Sequence, residues 1–389
     1  MNILAKDWGI PNVYIKDADK LFRELDTKWI RFEATFTNYS YKFADKEILD
    51  SYTPPNIRRA PVDLSVRRLA GIASMRKSDS VAFGAKAANL GHLLNRNFAD
   101  VSIPDGFSVP FFWYDRFMKE NGFDKVIEEA IQDIDFVHNP RVRRKKLEEL
   151  RSAIQKGRID SALRDEIVRR WKSQLGGRPV FVRSSSNAED LPNFSGAGLY
   201  SSVPNVRSGD QLLEAVKKVW ASLWKFEAYE ARVRNYVDQQ TVYMSALIQI
   251  GVDMDRGGVM FSTNPFREKN SNSTYISVVC GHNDPITANG GMPEQIIVEG
   301  RSGSISLMTF SQMENALRFD ESGGLKKEPV SCASKKSGRI ISDMEARRLA
   351  SIAIRVKGAF GGKVEQDIEW GMIGNRIFLL QARPYAAKK

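Results

Sequence analysis

Cysteine and histidine are scarce: 389 residues contain two cysteines, Cys280 and Cys332, and three histidines, His92, His138 and His282. Two thiols are too few for a disulfide framework, and neither residue type recurs at metal-ligand spacing. This argues against a zinc site, and a reducing compartment is expected. No apolar run reaches the roughly 18 residues of a membrane span. The start, MNILAKDWGIPNVY, lacks the cationic segment, apolar core and small-residue cleavage site of a leader. These absences predict a cytoplasmic protein. Internal repeats and low-complexity tracts are also missing. So is a surface of interleaved aromatic and basic residues, which argues against a nucleic-acid binder.

What is present is length, apolar content and positive charge. With 42% hydrophobic residues the chain can bury a core, and at this length more than one subdomain is expected. A formal charge of +11 favours an anionic partner. The basic cluster RVRRKK, Arg141 to Lys146, reads as a solvated helix face.

Three segments are predicted. Residues 1–37 form a small unit of a strand at GIPNVYI, a short helix at DADKLFREL and a strand at KWIRFEATF. Residues 38–79, with three prolines in YTPPNIRRAPVDLS, read as a linker. Residues 80–389 form the main domain, with a subdomain boundary near 195–240. It opens on a glycine turn and helix at SVAFGAKAANLGHLL, looks helical from Lys125 to Gln174, and runs into a strand at RPVFVRSSS. One long amphipathic helix is expected at GDQLLEAVKKVWASLWKFEAYEARVRNY, with its tryptophans in the core. Strands dominate from Val242, followed by a helix whose Ser342 and Glu345 make a capping box. Runs of helices and runs of strands indicate an α+β fold.

Several stretches can carry chemistry. In FGAKAANL a glycine turn presents Lys86 at a helix opening, where an ammonium and free amides can meet a polyphosphate; an ordinary surface lysine is the alternative. In VRSSSNAEDLPNFSGAGLY a strand delivers Arg183 beside Ser184 and Ser185, which suits phosphate oxygens but equally a polar turn whose serines cap local backbone. Gly196 and Gly198 permit close approach of a ligand or serve a hairpin. In VEQDIEWGMIGNRIFLLQARP the side chains of Asp367 and Glu369 share one strand face, and Gln381 and Arg383 share a face on the return. Two adjacent carboxylates invite a divalent cation, or an arginine pairing on a solvated sheet face.

Lys86 in GAKAANL, Arg183 in VRSSSNAEDL, VWASLW, GVMFSTNP and DIEW followed by LLQARP together resemble the nucleotide-binding domain of the phosphoenolpyruvate synthase and pyruvate phosphate dikinase family, over about Ser80 to Pro384. The segments SSSNAEDLPNFSGAGLYSSVP and KKVWASLW are also similar to glucan, water dikinases. The resemblance implies an ATP-grasp fold clamping ATP between two subdomains. It makes Lys86 and Arg183 phosphate ligands, Asp367 and Glu369 ligands of Mg²⁺ or of the ribose side, and Gln381 and Arg383 contacts near the reacting end. Adenine would lie against the hinge at Gln249, Ile250 and Gly251 through backbone bonds. The family's acidic glycine-rich segment corresponds to GHND, where Asp284 stands for a glutamate as a metal ligand at shorter reach.

Enzymes of this family pass the β-phosphate of ATP to a histidine on a swivelling domain. None of the three histidines sits in the family's Thr-Ser-His-type motif, yet ILAKDWGIPNVYIKDADKL resembles the sequence that follows it. The expectation is a dikinase that begins just after its phosphocarrier residue, or a module that serves a histidine domain in trans. Final acceptors from pyruvate to glucan stay open, as does a catalytically silent ATP-binding regulator.

Overall fold

The computed structural model describes residues 13, 15–25, 28–35, 38–43, 57–96, 98, 100–189, 196, 198–266, 272–283, 291–300, 302–334 and 336–385. Among them helices and mostly antiparallel sheets segregate into an α+β arrangement.

An N-terminal hairpin pairs β1 (Ile30–Ala34) with β2 (Tyr39–Phe43), covered by Phe22 from a preceding helical turn. The expected strand at GIPNVYI lies outside the described residues except for Val13 and Ile15, neither of which is in a strand. Residues 57–79 are more than a connector. Ala60, Leu69, Ile72 and Met75 are buried, and β3 (Ala70–Gly71) joins a sheet, because apolar residues between the prolines and basic residues find a core to enter.

Helix α1 (Ser80–Leu94) is broken at Gly84, whose φ of 77° and ψ of 165° are non-helical. After it, β4 (Val101–Ser102) and β5 (Gly106–Val109) lead to a helical layer. The stretch expected to be continuously helical is four helices after α2 (Phe111–Glu120): α3 (Phe123–Gln132), α4 (Ile134–His138), α5 (Pro140–Lys156) and α6 (Ser161–Leu175). The breaks follow capping chemistry: Asp133, Asn139 and Asp160 each accept an amide of the next helix, and Pro140 at the first turn of α5 donates none.

Strands β6 (Val180–Ser186) and β7 (Val203–Val206) precede α7 (Gly209–Ala221) and α8 (Phe226–Arg234). These two replace the single helix expected there. Ser222–Trp224 tightens into a 3₁₀ turn and Lys225 is extended, which lets Trp220, Leu223 and Trp224 all enter the core. With β8 (Met244–Ile250) the first sheet is complete, in the order β3-β5-β8-β6-β7.

The chain then crosses to a second sheet, ordered β12-β11-β10-β9-β15-β16-β4. Its strands are β9 (Arg256–Phe261), β10 (Ser273–Cys280), β11 (Glu294–Glu299), β12 (Ile305–Thr309), β15 (Gln366–Ile373) and β16 (Arg376–Pro384), closed by β4 from the first half. Helix α9 (Asp343–Ala359) packs on it and carries the expected capping box between Ser342 and Glu345. A hairpin of β13 (Asn315–Phe319) and β14 (Leu325–Pro329) had no counterpart in the sequence reading, since its polar strands lack a clear alternation.

The cysteines require a correction: Cys280 and Cys332 form a disulfide across 52 residues, tying the end of β10 to the segment after β14. They were too few to suggest a framework, but one bridge needs only two thiols that the fold brings together. The bond removes the support that free thiols gave to a reducing compartment. No helix among the described residues is long and apolar enough to cross a membrane.

Candidate functional site

Three elements distant in sequence meet where helix α1 and β6 of the first sheet contact β15 and β16 of the second. Gly84 allows the approach. A Cβ there would stand 2.3 Å from the Ser185 carbonyl oxygen, and its φ and ψ suit glycine alone. Beyond Gly84 the helix restarts, Ser185 Oγ accepts the Ala87 amide at 3.3 Å, and Lys86 sits in this first turn. Its Nζ donates to Ser184 Oγ at 3.2 Å and pairs with Glu189 at 2.5 Å. Asn89, one turn on, donates to the Ala382 carbonyl of β16 at 3.0 Å and so ties the helix to the second sheet.

Arg183 is delivered by β6, in register with Leu247 of β8. Its guanidinium reaches into the second sheet, where it pairs with Glu369 at 2.6 Å and donates to Gln381 Oε1 at 3.2 Å and to the Leu380 carbonyl. On β15 and β16, Glu369 faces Gln381 and Asp367 faces Arg383 in register. Arg383 Nε and Nη2 both donate to Asp367 Oδ2, at 2.9 and 2.5 Å. Asp367 and Glu369 on one strand and Gln381 and Arg383 on its return are thus paired across one hairpin.

The electrostatics are those of a cluster of alternating cations and carboxylates. Burial pushes the Glu369 carboxyl up, but Arg183, then Lys86 and Arg383, outweigh it and hold the group below the usual glutamate range. Glu369 is thus an anion around neutrality, and each of the three cations is matched with one carboxylate: Lys86 with Glu189, Arg183 with Glu369, Arg383 with Asp367. A polyphosphate entering here would exchange these partners for its own oxygens.

Other expected residues fall differently. Ser184 and Ser185 are buried beside Lys86, on its helix-facing side. At the hinge, the Ile250 amide donates to the Asp105 carbonyl and the Gly251 amide to the Pro179 carbonyl, both at 2.8 Å. The Gln249 side chain donates to the Pro104 carbonyl at 3.0 Å. Backbone donors of Ile250 and Gly251 are therefore committed within the protein, which leaves recognition at the hinge to carbonyls or side chains. Gly198, at φ 69°, serves a turn; Gly196 packs against Glu189, where a Cβ would meet its Cα at 3.1 Å.

Asp284 lies outside the described residues, and no group of three or more His, Cys, Asp or Glu side chains suited to a metal occurs among those described. Asp367 and Glu369 still fit Mg²⁺, which is commonly held by one or two carboxylates plus substrate phosphates. His282 is buried, stacked on Phe319, and His92 contacts the Ala359 carbonyl at 2.9 Å. Sequence reasoning missed Glu189 and Asn89. The adjacent acids Glu189 and Asp190 were visible, but nothing local says that Glu189 reaches a lysine 103 positions earlier.

Two sheets with a lysine-bearing helix N-terminus, a serine-rich strand end and paired carboxylates between them define a nucleotide-binding class of protein. The chain belongs to the family described as pyruvate phosphate dikinase, AMP/ATP-binding domain, whose model matches residues 80–389. The domain of that family is of the ATP-grasp type.

Among similar curated proteins is a probable phosphoenolpyruvate synthase from Methanothermobacter thermautotrophicus, 29% identical over 333 residues, covering 84% of this chain and 47% of the relative. Phosphoenolpyruvate synthases from Deinococcus radiodurans, 29% identical over 325 residues, and Pyrococcus furiosus, 26% over 369, cover 80% and 84% of this chain and 40% and 44% of themselves. The chain thus spans less than half the length of these relatives.

Proposed function

We propose that residues 80–389 are the ATP- and Mg²⁺-dependent phosphotransfer domain of a phosphoenolpyruvate synthase-like or pyruvate phosphate dikinase-like enzyme, passing the β-phosphate of ATP to a histidine of a swivelling domain. In this reading residues 1–37 are of swivelling-domain type and residues 38–79 connect them to the ATP-binding unit, with Ala60, Leu69, Ile72 and Met75 packed into its core. The observation that carries it is Arg183 spanning the two sheets to Glu369 and Gln381 while Lys86 stands beside it on a helix N-terminus.

Lys86, Ser184 and Ser185 bind the phosphates, with the first-turn amides of the helix adding their dipole. Arg183 orients the transferring group and stabilises its charge, and Arg383 with Gln381 holds the neighbouring phosphate. Gln249, Ile250 and Gly251 line the purine side. Asp367 and Glu369, with Asp284, would hold the Mg²⁺, which neutralises phosphate charge when bound. Positioning and electrostatics supply most of phosphoryl-transfer catalysis, and this set of groups offers both without a protein nucleophile.

A catalytically silent nucleotide-binding module is the competing reading, favoured by the closed pairing of all three cations. The test mixes the chain with Mg²⁺, ATP labelled at the β-phosphate and a separately prepared swivelling domain. Label on the carrier's histidine is the expected result. Nucleotide binding with no transfer leaves the silent module.

A further inference from the structure

The proposed phosphate site makes no use of the β13–β14 hairpin, yet this hairpin touches both halves of the molecule. Its base belongs to the second sheet. Ala316 lies in that core, the Leu317 carbonyl accepts the His282 amide at 2.9 Å, and Cys332, just beyond β14, is bridged to Cys280 of β10. Its middle runs beside the crossover between the sheets. Arg318 donates to the Met254 carbonyl at 2.7 Å and pairs with Asp253 and Asp255 at 3.3 and 3.2 Å, while the Phe319 amide donates to Asp253 at 3.1 Å. The Phe319 ring meets His282 of the second half and Phe181 of β6, with ring centres 5.0 and 5.8 Å away.

The tip, residues 320–324, docks on the first half. Asn205 of β7 is fully buried, and its side-chain amide donates to the carbonyls of Asp320 and Gly324, both at 2.7 Å. Asn205 Oδ1 accepts from Arg207 at 2.9 Å, which fixes the direction in which the amide points. The Asn205 carbonyl accepts the Gly324 amide at 3.2 Å, and Gln211, in the first turn of α7, donates to the Ser322 carbonyl at 3.1 Å. Asn205 holds φ at 49°, a left-handed conformation that asparagine tolerates better than most side chains. Two bodies joined by one crossing of the chain can rotate about it. Here the hairpin base moves with the second sheet and its tip is bonded to the first, so rotation between the halves must break the tip bonds.

We propose that the β13–β14 hairpin is a clasp: the bonds of its tip to Asn205 and Gln211 hold the halves together, and their release sets how fast the cleft holding Lys86, Arg183 and Glu369 opens. That a nucleotide passes through this cleft rests on the reading above; the restraint on the halves does not.

The test uses the full chain with nitroxides attached at Lys145→Cys on α5 and Met344→Cys on α9, both exposed positions, without reductant so that the native bridge stays closed. Pulsed electron-spin resonance then reads the distance between the halves with no nucleotide present. Asn205→Gly keeps the left-handed backbone and deletes the amide. It should add a longer distance to the single one of the labelled parent, and an unchanged distribution overturns the clasp. In the unlabelled chain with Mg²⁺, ATP carrying a ribose fluorophore should bind and leave about tenfold faster in Asn205→Gly. Its Kd should change less than about threefold, because the clasp acts with and without nucleotide.

Weaker binding with no faster association marks structural damage and overturns the proposal, as does a longer distance with unchanged rates. Should Asn205→Gly fail to fold, Gln211→Ala decides by the same two readings. Loss of its bond to Ser322 should add the longer distance and speed exchange about threefold, and no change in either overturns the clasp. A parent chain that does not bind ATP sinks the nucleotide reading, and the distance measurement still decides whether the hairpin restrains the halves.

Discussion

Arg183 belongs to the first sheet by its backbone and to the second by its contacts with Glu369, Gln381 and Leu380. If it stabilises the transferring phosphate as proposed, its charge matters most in the transition state, and Arg183→Ala should reduce phosphotransfer by at least about a hundredfold while weakening ATP binding less. A parallel loss in both, measured by turnover and titration, would place the side chain in ground-state binding only. Glu369 makes the site sensitive to acid. Its folded carboxyl titrates below the unfolded one, so as pH falls the unfolded chain takes up the proton first and stability declines. The contribution is complete above the ordinary glutamate range, about 4.3, and is lost as pH drops through the folded value. Denaturant unfolding from pH 6 to pH 3 should show a steeper loss for wild type than for Glu369→Gln. The same variant should bind ATP with a weaker dependence on Mg²⁺; an unchanged metal titration removes Glu369 from the metal site.

At the scale of elements, the break in α1 decides whether Lys86 faces the serines. Gly84 adopts a backbone conformation that costs other residues about 1–3 kcal/mol, and the Ser185 carbonyl occupies the space a Cβ needs. Gly84→Ala should therefore lower stability by about 2 kcal/mol or more and weaken ATP binding further than stability loss alone requires, because the helix must move off β6. Chemical denaturation and ATP titration on one variant check both effects. The glycine turn before this helix was readable from FGAKAANL. That the turn presses on Ser185, 101 residues later, was not, because a close approach has two partners and the sequence displays one at a time. The long helix predicted at residues 209–236 shows the converse. Its apolar spacing was read correctly, but the interruption at Ser222–Lys225 answers to tryptophan packing rather than to any local breaker.

Across the whole molecule, the disulfide closes a loop spanning the edge of the second sheet, from β10 past the β13–β14 hairpin. Closing about 50 residues stabilises a fold by roughly 4 kcal/mol in the chain-entropy limit and commonly by less. Cys332→Ser, or reduction before unfolding, should lower stability by about 2–4 kcal/mol, and an unchanged denaturation midpoint would show that the bridge adds nothing. The two cysteines were plain in the sequence; their meeting was not, since it depends on where β14 returns. By itself the sequence determined the α+β class and most strands and helices, because periodicity, capping and side-chain chemistry are local; the phosphate ligands it names remain part of the proposed function. Only the tertiary structure decided that Lys86 answers to Glu189, that Arg183 crosses between sheets, and that the hinge amides of Ile250 and Gly251 are already bonded. Those outcomes depend on distances between segments up to 198 residues apart, and such distances are set by how the sheets pack.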